Sequence, residues 1–450
     1  MGDFESSLTR DGKKLSKEDF IVENLGKCEI PSPLKLSSKR GDGIVDYIKE
    51  GTKLLLKAEL TSSDKPNPDL AFEKAGPRGL IYFNPEKTNV GIVTCGGISP
   101  GLNNVLRSIF MELYYKYGTQ NIFGFKYGFS GFDSTIGINT IKFDRNVVHN
   151  IHNIGGTILG TSRGTPPTKV IVDTLDYLGI HVLFCIGGDG TLRGAHAIHQ
   201  ELKKRGLKKS IICIPKTIDN DIPFVFKTFG FDTAVKMAKV VIDCAHTEAS
   251  GVHNGIVLVK LMGRDSGFIA SFATLACNDV NFTLVPEVPF DLYGKKGFLT
   301  LLEKRILERG HAVIVVAEGA GQNLFNKERV KKDASGNLLL LDIGSYLNEK
   351  IEEYFKKREI PIYQKYMDPS YIIRGVPANA SDGIFCDRLA RNAVHAAMAG
   401  KTDIVLGLWY NVLTHVPLAM VTSRKKRLSP ESSLWLSVLS TTGQPFEMKN

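Results

Sequence analysis

From about position 89 onward, short continuous apolar runs alternate with stretches whose apolar residues recur every three or four positions. The runs 90–94, 181–186, 210–214, 255–261, 282–285, 312–317 and 404–408 have the composition of buried parallel strands. Between them, 100–117 sets Leu102, Val105, Leu106, Ile109 and Leu113 on one helical face. Segments 170–178, 191–204, 231–249, 266–276, 297–308 and 384–399 also read as helices. Regular strand–helix alternation predicts an α/β protein built from two Rossmann-like, doubly wound parallel sheets.

Residues 1–88 break this rhythm. They are rich in Lys, Ser and Pro, with apolar stretches only at 44–48 and 54–60, and read as an arm or small appended domain. At 450 residues the chain has room for two or three domains. No apolar run approaches the roughly 18 residues of a membrane helix, so no membrane association is expected. The seven cysteines are scattered and lack metal-binding spacing, which suits a reducing compartment, and cytoplasmic location is expected. Cys95, Cys185 and Cys213 lie at strand ends and read as buried thiols. The net charge of +10 suits anionic substrates. No basic stripe interleaves with aromatics, so nucleic acid is not an expected partner. The densest basic run, Arg424 to Arg427, reads as a solvated loop.

The chemistry gathers at the predicted strand ends, where open α/β sheets place ligands. Neither a P-loop nor a dinucleotide fingerprint is present. Instead, Gly96 and Gly97 open a strand-to-helix turn running through Pro100 and Gly101 to Asn103, a place for phosphate at a helix N-terminus. Gly187, Gly188, Asp189, Gly190 and Thr191 repeat that geometry and add a carboxylate. A carboxylate among phosphate-binding amides requires a cation, so Asp189 is the candidate magnesium ligand. Lys216, Thr217, Asp219 and Asp221 follow the next strand. In extended backbone Thr217 and both carboxylates face one side. One carboxylate can accept a hydroxyl proton, and Lys216 can stabilise a transferring phosphoryl group. Arg264, after Met262 and Gly263, ends a further strand and can clamp phosphate; Glu318 closes another, and Arg163 sits in a glycine-rich loop.

Together these motifs resemble the 6-phosphofructokinase family over about residues 76–421. The resemblance is to its long, pyrophosphate-related group, which includes ATP-dependent kinetoplastid enzymes. It implies that Asp219 takes the proton from the sugar 1-hydroxyl and that Asp221 supports it. Thr217, Met262, Gly263, Arg264 and Glu318 would line the fructose 6-phosphate pocket, with Arg264 stabilising the transition state. Gly96, Gly97, Arg163, Gly188, Asp189, Gly190, Thr191 and Gly194 would surround the nucleotide and magnesium. Arg374 would bind the sugar 6-phosphate, helped by Lys365 and Tyr371, although compact bacterial members have Arg and His at those two positions. Arg107 matches one basic residue of the bacterial effector site, whereas Met111 replaces the next.

Pyrophosphate users carry Asp where this chain has Gly190, and Lys at position 216. Gly190 leaves room for a nucleotide α-phosphate, so ATP is the expected donor. A pyrophosphate-dependent enzyme and a non-catalytic regulatory subunit are the alternatives. The resemblance further implies a homotetramer. Its two domains would be discontinuous, with 89–230 and 374–424 binding ATP and 231–373 and 425–450 binding fructose 6-phosphate.

Overall fold

The computed structural model describes residues 9–10, 13–133, 135, 137, 140–162, 164–325 and 339–450. The chain enters its larger sheet through β1 (Lys53–Leu55) and β2 (Ala71–Lys74). β3 (Asn89–Thr94), α1 (Leu102–Met111), β4 (Asn121–Phe125), β5 (Thr140–Lys142) and α2 (Thr168–Tyr177) come next. β6 (Val182–Gly187), α3 (Asp189–Lys204) and β7 (Ser210–Pro215) complete this stretch.

The second sheet is built by α4 (Phe231–Ser250), β8 (Gly255–Leu261), α5 (Phe268–Cys277), β9 (Phe282–Leu284), α6 (Phe298–Arg309), β10 (His311–Ala317), α7 (Ile343–Lys357) and β11 (Tyr363–Met367). α8 (Ala380–Met398), β12 (Ile404–Trp409) and β13 (Val412–Pro417) return to the first, and α9 (Ser433–Thr442) packs beside α5.

The first sheet has nine strands in the order β5-β4-β3-β6-β7-β12-β13-β2-β1. Its five central strands run parallel, while β5, β13, β2 and β1 are antiparallel additions, so the sheet is mixed. The second has four parallel strands in the order β9-β10-β8-β11. Side-chain alternation divides each sheet between two cores. Ile92, Phe184, Ile212 and Leu406 face α1 and α8, whereas Val93, Cys185, Cys213 and Val405 face α2 and α3. Val257 and Val315 face α4 and α5, and Leu258 and Ile314 face α6 and α7.

The N-terminal segment is more deeply integrated than an appended arm. β1 and β2 extend the nine-stranded sheet, and Leu56, Phe72 and Ile81 are buried in its cores. The cause is pairing: β13 offers an open antiparallel edge, and β2 closes it at Thr414 and His415. Cys95, Cys185 and Cys213 are buried free thiols. Among the described residues no helix is long and apolar enough to cross a membrane.

Candidate active site

The C-terminal ends of β3, β6 and β7 meet those of β8 and β10. On the first side, Gly96 and Gly97 follow β3, and the turn ends at Gly101, the N-cap of α1. Gly101 has φ 98°, and a Cβ there would stand 2.5 Å from Cys386 Sγ, so only glycine fits. β6 ends in Gly187, Gly188 caps α3, and Asp189 is that helix's first residue, where the helix dipole favours a carboxylate. Asp189 Oδ2 pairs with Arg193 Nη1 at 2.7 Å. Thr191 is buried, and Gly194 faces the Phe129 ring, where a Cβ would come within 2.9 Å. A Cβ on Gly190 would meet nothing within 4 Å, so this position borders open space.

Lys216 joins these loops. Its backbone N–H donates to Gly187 O at 2.9 Å and its buried ammonium donates to Gly97 O at 2.6 Å. Burial pushes its pKa down to about 8. Residues 217–221 are bent rather than extended. Asn220 takes φ 54°, its Oδ1 accepts from Thr228 N–H, and Thr217 Oγ1 accepts from Asp219 N–H at 3.0 Å. Side-chain capping of the turn has won over the extended backbone that the alternation suggested. Burial, then the charges of Asp221 and Glu318, push Asp219 up to about 7 against the pull of Arg264 and Lys216. Burial also raises Asp221, and Lys425 is the strongest opposing charge.

On the second side, Arg264 is held at φ 49°. Glu318, after β10, fixes that strain: its Oε1 accepts from Arg264 N–H at 2.8 Å and from Gly263 N–H at 3.3 Å. Gly319 lets the Arg264 carbonyl approach, since a Cβ there would collide with it. Ser266 Oγ donates to the Asp219 carbonyl at 3.4 Å, linking the two sides. Met262, half-buried, precedes this loop.

The sugar-phosphate candidates disperse. Arg374 lies against Gly97, close enough to Lys216 to lower its pKa, and its guanidinium stacks 5.3 Å from the Tyr371 ring centroid. Tyr371 is 73% exposed. Lys365 is exposed on the edge strand β11, its ammonium 5.0 Å from the Tyr363 ring centroid and opposite Val257 at mid-strand. Arg163 lies outside the described residues.

The solvated-loop reading of 424–427 is overturned for three of the four residues. Only Arg427 is exposed. Arg424 stacks on Phe224, Lys425 Nζ pairs with Asp265 Oδ2 at 3.0 Å, and Lys426 N–H donates to Asp221 O at 2.8 Å. The segment is a strap across the acidic turn. Its signal in the sequence was four adjacent cations, a pattern that sets no face and names no partner.

The phosphofructokinase family model matches residues 89–397. An ATP-dependent 6-phosphofructokinase of Borreliella burgdorferi is 48% identical over 96% of this chain and 98% of its own length. The enzyme of that name from Trypanosoma brucei brucei is 43% identical over 95% of this chain and 88% of its own. Among solved structures, a pyrophosphate-dependent phosphofructokinase of Marinobacter aquaeolei superposes with TM-score 0.64 at 18% identity, covering 79% of this chain and 91% of its own. Pichia pastoris phosphofructokinase gives TM-score 0.62 at 21% identity, covering 81% of this chain and 40% of that one. At such identities these two likenesses speak to the fold alone. Matched over most of its length by relatives of 43% and 48% identity, the chain belongs to the phosphofructokinase family.

Proposed function

We propose that this chain is an ATP-dependent 6-phosphofructokinase, transferring the ATP γ-phosphoryl group to the 1-hydroxyl of fructose 6-phosphate in glycolysis. The observation that carries the reading is a carboxylate and an ammonium, Asp219 and Lys216, on one turn between glycine loops, poised near 7 and 8. Asp219 takes the hydroxyl proton as the oxygen attacks, and the neighbouring charge of Asp221 raises the proton affinity of that base. Lys216 and Arg264 hold charge on the phosphoryl group in flight, so catalysis is mainly positioning and electrostatics. Thr217 orders the base through its bond to the Asp219 N–H.

Gly96, Gly97, Gly188, Gly190 and Thr191 line the donor side. Gly194 keeps α3 against Phe129 behind that loop, and Arg163 belongs to the same side by family pattern alone. The donor side also fits a magnesium ion. Asp189 sits at a helix start with its charge acting on Asp221, and magnesium takes one or two carboxylates plus phosphate oxygens. Asp189 would hold the ion, which would neutralise charge between the terminal phosphates. Met262, Gly263, Arg264 and Glu318 are assigned to the sugar. Arg374 stands beside Gly97 and so can meet phosphate from either substrate. Lys365 and Tyr371 are exposed and suit an interface between copies of a homotetramer. We retain the two discontinuous domains, with β1 and β2 added to the ATP-binding one, and cytoplasmic location.

The donor assignment rests on the open space beside Gly190. Its test is aldolase-coupled turnover of fructose 6-phosphate with magnesium and either ATP or pyrophosphate, for wild type and Gly190→Asp. Turnover with ATP alone, lost at least 100-fold in the variant, supports the reading. Turnover with pyrophosphate alone refutes ATP as donor, and no turnover with either favours a regulatory subunit.

A further inference from the structure

The phosphate loops occupy one end of the nine-stranded sheet. At the other end, a cavity of about 480 Å³ opens where β3, β6 and β7 begin. Lys87 and Thr88 precede β3, His181 precedes β6, and Lys208 stands two residues before β7. Lys27 and Glu29, from the N-terminal segment, face them across the opening. Lys27 is neutralised by Glu29 at 3.3 Å, whereas Lys87 and Lys208 form no ion pair among the described residues. The neighbouring Lys209 differs: it is buried and pairs with Asp176 at 3.0 Å. His181 Nδ1 accepts from Asn89 N–H at 3.0 Å, which leaves Nε2 to carry the ring hydrogen and donate it. Tyr82 and Phe83, edge to face at 4.9 Å, form an apolar wall.

Two uncompensated ammonium groups and an imidazole donor around one concavity make an anion-binding arrangement. Several separated donors suit a group that spreads its charge over several oxygens, as phosphate does. We propose that this cavity binds a small phosphate-bearing metabolite, at a site separate from catalysis. At about 3.3 Å per residue, the six-residue β3 places it roughly 20 Å from Gly96. The strands that start at the cavity lead into the loops of Gly96, Gly188 and Lys216, so an occupant there touches the roots of all three phosphate-site segments.

The test is calorimetric titration of the full chain with AMP and, separately, with inorganic phosphate. The active site is first saturated with magnesium, a non-hydrolysable ATP analogue and fructose 6-phosphate. Wild type is compared with Lys87→Glu/Lys208→Glu and with Lys208→Gln alone, each checked for an unchanged melting temperature. The proposal expects one probe at least to bind wild type and to bind the double variant at least tenfold more weakly, with the basal kcat unchanged. Tighter binding of AMP identifies an organic phosphate seated on the aromatic wall; equal binding identifies phosphate itself as sufficient. Absence of binding by both probes, or equal affinity for wild type and both variants, overturns the proposal.

Discussion

Glu318 offers a way to move the acid limb of the rate profile without touching Asp219, the proposed base. Three influences raise Asp219: burial, then the charges of Asp221 and Glu318. Glu318→Gln removes one negative charge, while the amide oxygen can still accept from the Arg264 and Gly263 N–H groups. A neighbouring charge shifts a buried carboxyl by about one pKa unit or more, equivalent to about 1.4 kcal/mol. The sign follows from the charge: losing a neighbouring anion makes the ionised base easier to form, so its pKa falls. In wild type the base is ionised above about 7 and Lys216 is protonated below about 8. The rate with both substrates well below saturation should therefore peak between those values. At pH 6 a base of pKa about 7 is roughly 10% ionised, and one shifted down by about a unit is roughly 50% ionised. Aldolase-coupled rates, taken from pH 5.5 to 9 with the coupling enzymes in excess, should place the acid limb of Glu318→Gln about one unit lower. An acid limb that stays near 7, or moves upward, refutes the assignment of that limb to Asp219.

Other perturbations follow from the same geometry. Lys425 is the strongest charge opposing the raised pKa of Asp221. Lys425→Ala should make the carboxylate pair hold its protons to higher pH, shifting the acid limb upward and lowering the rate at pH 7 several-fold. Its part-exposed pair with Asp265 is worth about 1 kcal/mol or less, so thermal melting should change little; an unmoved pH profile would remove Lys425 from the site. Gly101→Ala forces a side chain into φ 98° and against Cys386 Sγ, and should cost about 2–4 kcal/mol in denaturant unfolding. Unchanged stability would mean that the turn into α1 relaxes freely.

Seven of the nine parallel strands among the described residues were legible as continuous apolar runs, whereas β4, interrupted by Gly124, and β11, a part-exposed edge strand carrying Gln364 and Lys365, were not. The motifs at Gly187 and Lys216 lie where those runs stop. β1, β2 and β13 escaped because these antiparallel additions mix polar with apolar residues and resemble loops until a partner supplies their hydrogen bonds. The bend at Asn220 escaped for a related reason. Alternating Thr217, Asp219 and Asp221 fit a strand, but Thr217 Oγ1 accepts from the Asp219 N–H and Asn220 Oδ1 accepts from the Thr228 N–H, and both bonds favour the turn. The strap at 424–426 and the seat of Arg374 beside Gly97 depend on contacts between segments far apart in the chain, which periodicity does not encode.

The central claim is that Asp219 takes the proton of the sugar hydroxyl during phosphoryl transfer. Its most direct test is a single-turnover measurement with Asp219→Asn, saturated with magnesium ATP and fructose 6-phosphate, alongside equilibrium binding of both substrates. The account predicts substrate affinities within a few-fold of wild type and a transfer step slower by about 10²–10⁴-fold, with the acid limb near pH 7 abolished. A transfer rate within a few-fold of wild type, or a variant that retains that acid limb, would contradict it.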